Sequence, residues 1–324
     1  MKKILLLALG VTLCAAQAWA WGFWGHRKIN QQAIFLLPPD MMVLYKPNLE
    51  FLTEHAVDPD KRRYAVKGEA PRHYIDVDRY GRYPYDSLPR KWEAAVAKYS
   101  EDTLQAYGIV PWWTQTMLYR LRDAFKAKDQ VRILKLSAEI GHYISDAHVP
   151  LHACSNHNGQ HTGQTGIHGF WESRLPELFA DESYDFFLGK ANYIEKPGDF
   201  MWARILESGA ASDTVLKTEA VLNARFAPDR KYSFEERLGK VVRQYSSAYS
   251  KAYQDMLNGM VERRMRQSVY AVASFWFTAW VMAGQPDLTK LTNTSFSAAD
   301  LQEFEDMNAK WQSGGKVLGK DIEN

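Results

Sequence analysis

Nine histidines punctuate this 324-residue chain, at positions 26, 55, 73, 142, 148, 152, 157, 161 and 168, and none follows. Imidazole binds metal ions and moves protons near neutral pH, so spacing decides which chemistry is open to them. His142 and Asp146 stand four apart within QVRILKLSAEIGHYISDA (130–147). On a helix, that spacing puts an imidazole and a carboxylate on one face, close enough to share an ion. His168 and Glu172 repeat the pattern in GIHGFWES, and His152 follows Pro150 between the two pairs. The connecting ACSNHNGQHTGQTGI is polar, glycine-rich, and holds His157 and His161. Upstream, HAVDPDKRRY (55–64) supplies Asp58 and Asp60, and EAPRHYIDVD (69–78) supplies His73, Asp76 and Asp78. Taken singly, a His–acid pair is an ordinary surface salt bridge or a satisfied core histidine. The upstream segments taken alone read as an Asp/Pro turn and an exposed strand-like stretch. Taken together, these residues form an inventory sufficient for several metal sites.

The chain opens with Lys2 and Lys3, an apolar run Ile4–Leu13, and Ala18-Trp19-Ala20. A charged start, a short apolar run and a small-x-small motif form a secretory signal over 1–20. Cleavage after Ala20 would leave Trp21 with a free α-amino group, five residues before His26. The expected location is therefore exported, periplasmic or secreted. Of the 40 basic residues Lys2 and Lys3 would leave with the signal, so 38 remain against 38 acidic ones. A neutral chain lacks the bulk positive field of a nucleic-acid binder. Cys154 is the one cysteine after residue 20. No internal disulfide is open to the processed chain, and stability must come from the core or from metal.

The elements needed to position these residues read as helices. GHRKINQQAIFLL (25–37) has helical spacing and stops at Pro38-Pro39. Stretches 88–100, 110–128, 130–147, 198–211 and 233–260 show amphipathic periodicity. β-Signals are sparse, and no hairpin with a clean two-residue turn stands out. Val269–Gly284 is apolar on nearly every side but too short to span a bilayer. It reads as a buried central helix, without a transmembrane anchor. The fold class is all-α: a single helical domain over 21–286 with a polar, irregular tail over 287–324.

As an ordered set, Trp21, His26, the acid–histidine segments, His142/Asp146, His152 and His168/Glu172 resemble the zinc-dependent phospholipase C / S1-P1 nuclease superfamily. Its signature is a mature N-terminal tryptophan that binds zinc through its own amino nitrogen and carbonyl oxygen. The resemblance runs by motif from Trp21 to about Glu172, and beyond that rests on helical character. It implies a multi-helix phospholipase C/P1 nuclease-like fold with a trinuclear zinc cleft. One ion would be held by Asp58, His73, His142 and Asp146. A second would be held by His152, His168 and Glu172. The third would be held by Trp21 and His26, with Asp146 bridging. Asp60 is the rival for Asp58, which would also orient or deprotonate the nucleophile. His55, His148, His157 and His161 match no ligand position of the family.

The implied activity is hydrolysis of phosphodiester bonds by metal-activated hydroxide, with no organic cofactor. WGFWGH resembles the nuclease branch. GIHGFWE and the short loop from His152 to His168 resemble the phospholipase branch, which is slightly favoured. The alternative is an S1/P1-type single-strand nuclease or 3′-nucleotidase with the same site. The implied partner is a phosphate-ester substrate, either a phospholipid headgroup or single-stranded nucleic acid, with no stable protein partner. Two other classes of function stand beside this one: a non-catalytic protein whose helices zinc merely staples, and a membrane-associated binding protein using the 269–284 helix.

Overall fold

The computed structural model describes residues 22–237, 240–291, 295–314 and 316–319. The proposed signal segment and Trp21 lie outside the described residues. The chain runs α1 (Gly22–Ile34), α2 (Pro39–Tyr45), α3 (Leu49–Glu54), α4 (Asp58–Arg62), α5 (Trp92–Tyr99), α6 (Glu101–Tyr107), α7 (Val110–Ala127) and α8 (Gln130–Asp146). After a histidine-bearing connection come α9 (Ile167–Gly169), α10 (Leu175–Ser183), α11 (Pro197–Arg225), a hairpin β1 (Tyr232–Arg237) and β2 (Lys240–Tyr245), α12 (Ser247–Met256), α13 (Met260–Met282) and α14 (Ala298–Gln312). The protein is mostly helical, as its periodicity required.

Local chemistry sets the helix boundaries. The Asp129 side chain accepts the Arg132 N–H and caps α8, and Ser246 caps α12 through Tyr249 N–H. Each offsets an N–H group that a helix start leaves unpaired. Pro111 and Pro197 stand in the first turns of α7 and α11, where a missing N–H costs little.

Helices α1, α7, α8 and α13 pack against one another, and α11 lies across α7 and the turn Pro150–Ala153. Helix α13 carries Val269, Val272, Phe275, Trp276 and Ala279 fully buried, the central helix that its composition predicts. Several of its buried polar groups are paired. Trp276 Nε1–H donates to Ser137 O at 2.9 Å, and Thr278 Oγ1 accepts Ile194 N–H at 2.9 Å. Among the described residues, no helix is long and apolar enough to cross a membrane.

One close approach orients the site. A Cβ on Gly141 would lie 2.0 Å from Asn30 Oδ1. Glycine therefore lets α8 press onto α1, where Asn30 Nδ2 donates to Leu52 O and Ala138 O. That contact sets His142, the residue after Gly141, against His26 of α1.

Three expectations need correction. Residues 233–260 are not one helix. Tyr232–Tyr245 is an antiparallel hairpin in register Tyr232↔Tyr245 through Arg237↔Lys240, and the helix begins only at Ser247. The apolar residues 234, 238, 241, 242 and 245 mimic helical spacing, but alternation along each strand prevails: Tyr232 and Phe234 share a face with Tyr245. The connecting residues 238–239 lie outside the described residues. The tail is not irregular throughout. Ser297 and Asp300 form a reciprocal capping box that starts α14, which packs on α4. Phe296 stacks on Phe51, Phe304 meets Phe51 edge-on, and Trp311 lies 5.2 Å from Phe23. Finally, 69–78 is no exposed strand. It forms two tight helical turns, Ala70–His73 and Val77–Tyr80, with His73 and Asp76 buried.

Candidate metal centre

Six segments bring their imidazoles and carboxylates to one buried region: α1, α4, the turn Ala70–His73, the end of α8, the turn Pro150–Ala153, and the stretch Ile167–Arg174. Three groups result: His26 with His142 and Asp146, Asp60 with His73 and His142, and His152 with His168 and Glu172. All eight residues are at most 1% exposed.

In the third group, the imidazoles fix their own protonation. His152 Nδ1–H donates to His73 O at 2.6 Å, and His168 Nδ1–H donates to His157 O at 3.0 Å. Carbonyl oxygens only accept, so each Nδ1 keeps its proton and each Nε2 offers a lone pair. Those two Nε2 atoms face one another at 3.2 Å. Glu172 Oε2 lies 3.0 Å from one and 3.5 Å from the other. Three ligand-type atoms thus converge in a buried place, an arrangement that a cation among them would stabilise.

The other two groups repeat the logic. His142 Nδ1–H donates to Ala56 O at 2.9 Å, leaving its Nε2 lone pair 3.0 Å from His73 Nδ1. Asp146 Oδ2 lies 3.3 Å from His142 Nε2 and 3.0 Å from His73 Nδ1. Asp60 Oδ1 lies 3.5 and 3.7 Å from the same two nitrogens. Both Asp60 oxygens lack a hydrogen-bond partner among the described residues. Ser145 Oγ donates to His142 O, so it accepts from His26 Nδ1–H at 2.8 Å. His26 Nε2 then faces Asp146 Oδ1 at 3.4 Å, acceptor to acceptor.

The donor set fits zinc. Ligand atoms about 2.0–2.1 Å from a tetrahedral ion stand about 3.3 Å apart, and the separations here run from 3.0 to 3.7 Å. Imidazole nitrogen and carboxylate oxygen are its ordinary ligands, and the carbonyls that hold the far ring nitrogens are the usual outer support. In the protein alone, a proton does the same electrostatic work. Burial opposes charge on His142, yet Asp146 and Asp60 push its pKa up to about 10. Asp146 is held well below the usual carboxylate range, its burial outweighed by His142 and His152.

The structure brings Asp60, not Asp58, beside His73 and His142. Asp58, favoured from spacing, accepts His55 Nδ1–H at 2.6 Å and Lys61 Nζ–H at 3.2 Å, away from His73 and His142. Asp60 takes the place beside them, because α4 turns its third residue inward. Trp21 lies outside the described residues. Gly22 follows it at φ +47°, and a Cβ there would meet Ser173 Oγ at 2.7 Å, one residue past Glu172.

Of the remaining histidines, His55 pairs with Asp58 and stacks on Phe51. His157 lends its carbonyl to His168, and His161 is exposed. His148 is buried and faces Arg264 and Arg204. Burial pushes its pKa down to about 3.

One supporting residue escaped the sequence reading. Glu69, four before His73 on the inner side of the turn, lies 3.6 Å from His73 Nε2. It accepts from Arg72 at 2.5 Å, from Arg62 at 3.2 Å and from Tyr143. Its carboxyl is held well below the usual range, burial outweighed by His73, Arg62 and Arg72. The four-residue spacing to His73 was the available signal.

No protein-family model matches the chain, and no curated protein matches it either.

Proposed function

We propose that this protein is an exported zinc-dependent phosphoesterase of the zinc-dependent phospholipase C / S1-P1 nuclease type, hydrolysing phosphodiester bonds, with phospholipase-C-like action slightly favoured. The observation that supports the reading is the convergence of buried imidazole nitrogens and carboxylate oxygens from six segments into three groups. His26, Asp60, His73, His142, Asp146, His152, His168 and Glu172 would hold three ions, with Trp21 completing the set through its α-amino nitrogen and carbonyl oxygen. Bound zinc supplies Lewis acidity, polarising phosphoryl oxygens and making water acidic enough to ionise near neutral pH.

The chain's own contribution is orientation. The Ala56, His73 and His157 carbonyls lock the tautomers of His142, His152 and His168. Glu69 faces the far nitrogen of His73. Asp60, which lies nearer His73 and His142 than the spacing-favoured Asp58, would orient a water there by accepting its hydrogen bond.

The completeness of burial favours one other reading, a protein that zinc only staples, since structural sites are closed by protein ligands. Zinc stoichiometry and turnover separate the two. The phosphoesterase should bind about three ions and hydrolyse phosphatidylcholine or single-stranded DNA in a chelator-sensitive way, with His142→Ala inactive. Bound zinc without turnover on any phosphodiester would leave the staple. No bound zinc would remove both readings.

A further inference from the structure

Away from the histidine clusters, α11 and α13 border a cavity of about 410 Å³, lined by Tyr83, Glu207, Met260, Arg263, Arg264 and Gln267. Arg264 is only 7% exposed, and its NH1 has no hydrogen-bond partner among the described residues. The acid that faces it is Glu207, whose Oε2 lies 3.5 Å from NH1. That carboxylate is already engaged, because Arg204 holds its Oε1 at 2.5 Å. Arg263, exposed beside Arg264, donates to Asn258 O. Glu262 is turned to the Asp185 N–H at 3.0 Å. His148, buried just past the end of α8, brings no negative charge. Two guanidinium groups, Arg204 and Arg264, therefore share one carboxylate, a third, Arg263, lines the same cavity, and the most deeply buried of them keeps an N–H unused.

We propose that this cavity is an oxyanion site of the phosphate class, with Arg264 and Arg263 as its cationic donors and Gln267 as a neutral one. A buried guanidinium with a spare donor is costly unless an anion compensates it. The planar fork of arginine matches two oxygens of a tetrahedral oxyanion at once. The cavity is larger than phosphate alone needs, and Met260 and the Tyr83 ring give it an apolar side suited to an organic group esterified to that phosphate. The site shares no residue with the histidine clusters and stands whether or not they bind zinc.

The test reads the site directly. The processed chain is labelled with phenylglyoxal in millimolar inorganic phosphate, and in chloride of equal ionic strength, with each arginine followed by peptide mass spectrometry. Phosphate should slow labelling of Arg263 several-fold and leave Arg132, exposed on α8, unchanged. Gln267→Glu, which adds a carboxylate at the cavity edge without disturbing the core, should raise the phosphate concentration needed for protection about tenfold. Glycerol phosphate protecting at lower concentration than inorganic phosphate would identify a monoester ligand, and equal protection would identify free phosphate. Equal labelling of Arg263 in phosphate and chloride would overturn the proposal, as would protection undiminished in Gln267→Glu. Because the readout is at Arg263, phosphate bound at the histidine clusters cannot imitate it.

Discussion

Replacing Asp60 and Asp58 separately by asparagine tests the centre where spacing and structure diverge. Asp60 Oδ1 stands 3.5 Å from His142 Nε2 and 3.7 Å from His73 Nδ1. A four-ligand zinc site is worth about 10–16 kcal/mol in apparent binding free energy. One ligand of four thus carries about 3 kcal/mol, or about a hundredfold in affinity. Asp60→Asn should weaken one ion by about that factor, and leave the His152–His168–Glu172 ion in place. Among the described residues, Asp58 holds His55 and Lys61. Asp58→Asn should cost about 1–2 kcal/mol of stability through the lost charged hydrogen bonds, with zinc affinity unchanged. The assay is competition against a chromophoric chelator, with metal content by elemental analysis and thermal unfolding as the control for folding. If Asp58→Asn sheds an ion while Asp60→Asn keeps all of them, the geometric assignment is wrong.

Three further outcomes follow from the same structure. With metal removed by chelator, stability should fall as pH rises from 6.5 toward 10: the folded His142 pKa, raised to about 10, stabilises fully below the unfolded value of 6.5 and is lost through that window. His26 and His148, whose pKa values burial lowers, alter stability only below 6.5, so they leave the window clean. Zinc should reverse the slope between pH 6.5 and 8, since it requires unprotonated imidazole, and parallel melting curves with and without chelator would contradict this. Residues added before Trp21 should lower the zinc stoichiometry of the processed chain by about one ion, measured against the cleaved form, and an unchanged ratio would exclude the α-amino ligand. Phe304→Ala, which removes a half-buried ring packed on Phe51 and His55, should cost about 1–2 kcal/mol in denaturant unfolding, and no loss would mean that α14 does not hold to the body.

The helical class was legible because α7 alternates buried with exposed positions at helical spacing, which is what periodicity encodes, and because the apolar run in α13 is too long for a strand. The hairpin was not, since Val241, Val242 and Tyr245 satisfy a helical stripe as well as a pleated one, and only pairing with Tyr232–Arg237 decides between them. The i,i+4 pairs His142/Asp146 and His168/Glu172 were legible because helix geometry fixes both partners of each. Asp58 and Asp60 were not separable, because two residues apart on one short helix they point in different directions. Which of them faces inward depends on how α4 docks against α8. Glu69 was hidden for a related reason: a carboxylate supporting a histidine looks in sequence like any other surface acid.

Asp146 has a consequence that reaches past either group it joins. Its Oδ1 faces His26 and its Oδ2 faces His73 and His142. Two occupancies that draw on the two oxygens of one carboxylate form a single thermodynamic unit: whatever the first ion does to the affinity of the second, the second does equally to the first. A change at His26 would therefore alter how tightly the His73–His142 pair could hold an ion, through a side chain that neither site owns. The His152–His168–Glu172 group shares no ligand with them and would join the pair only through the field between His152 and Asp146.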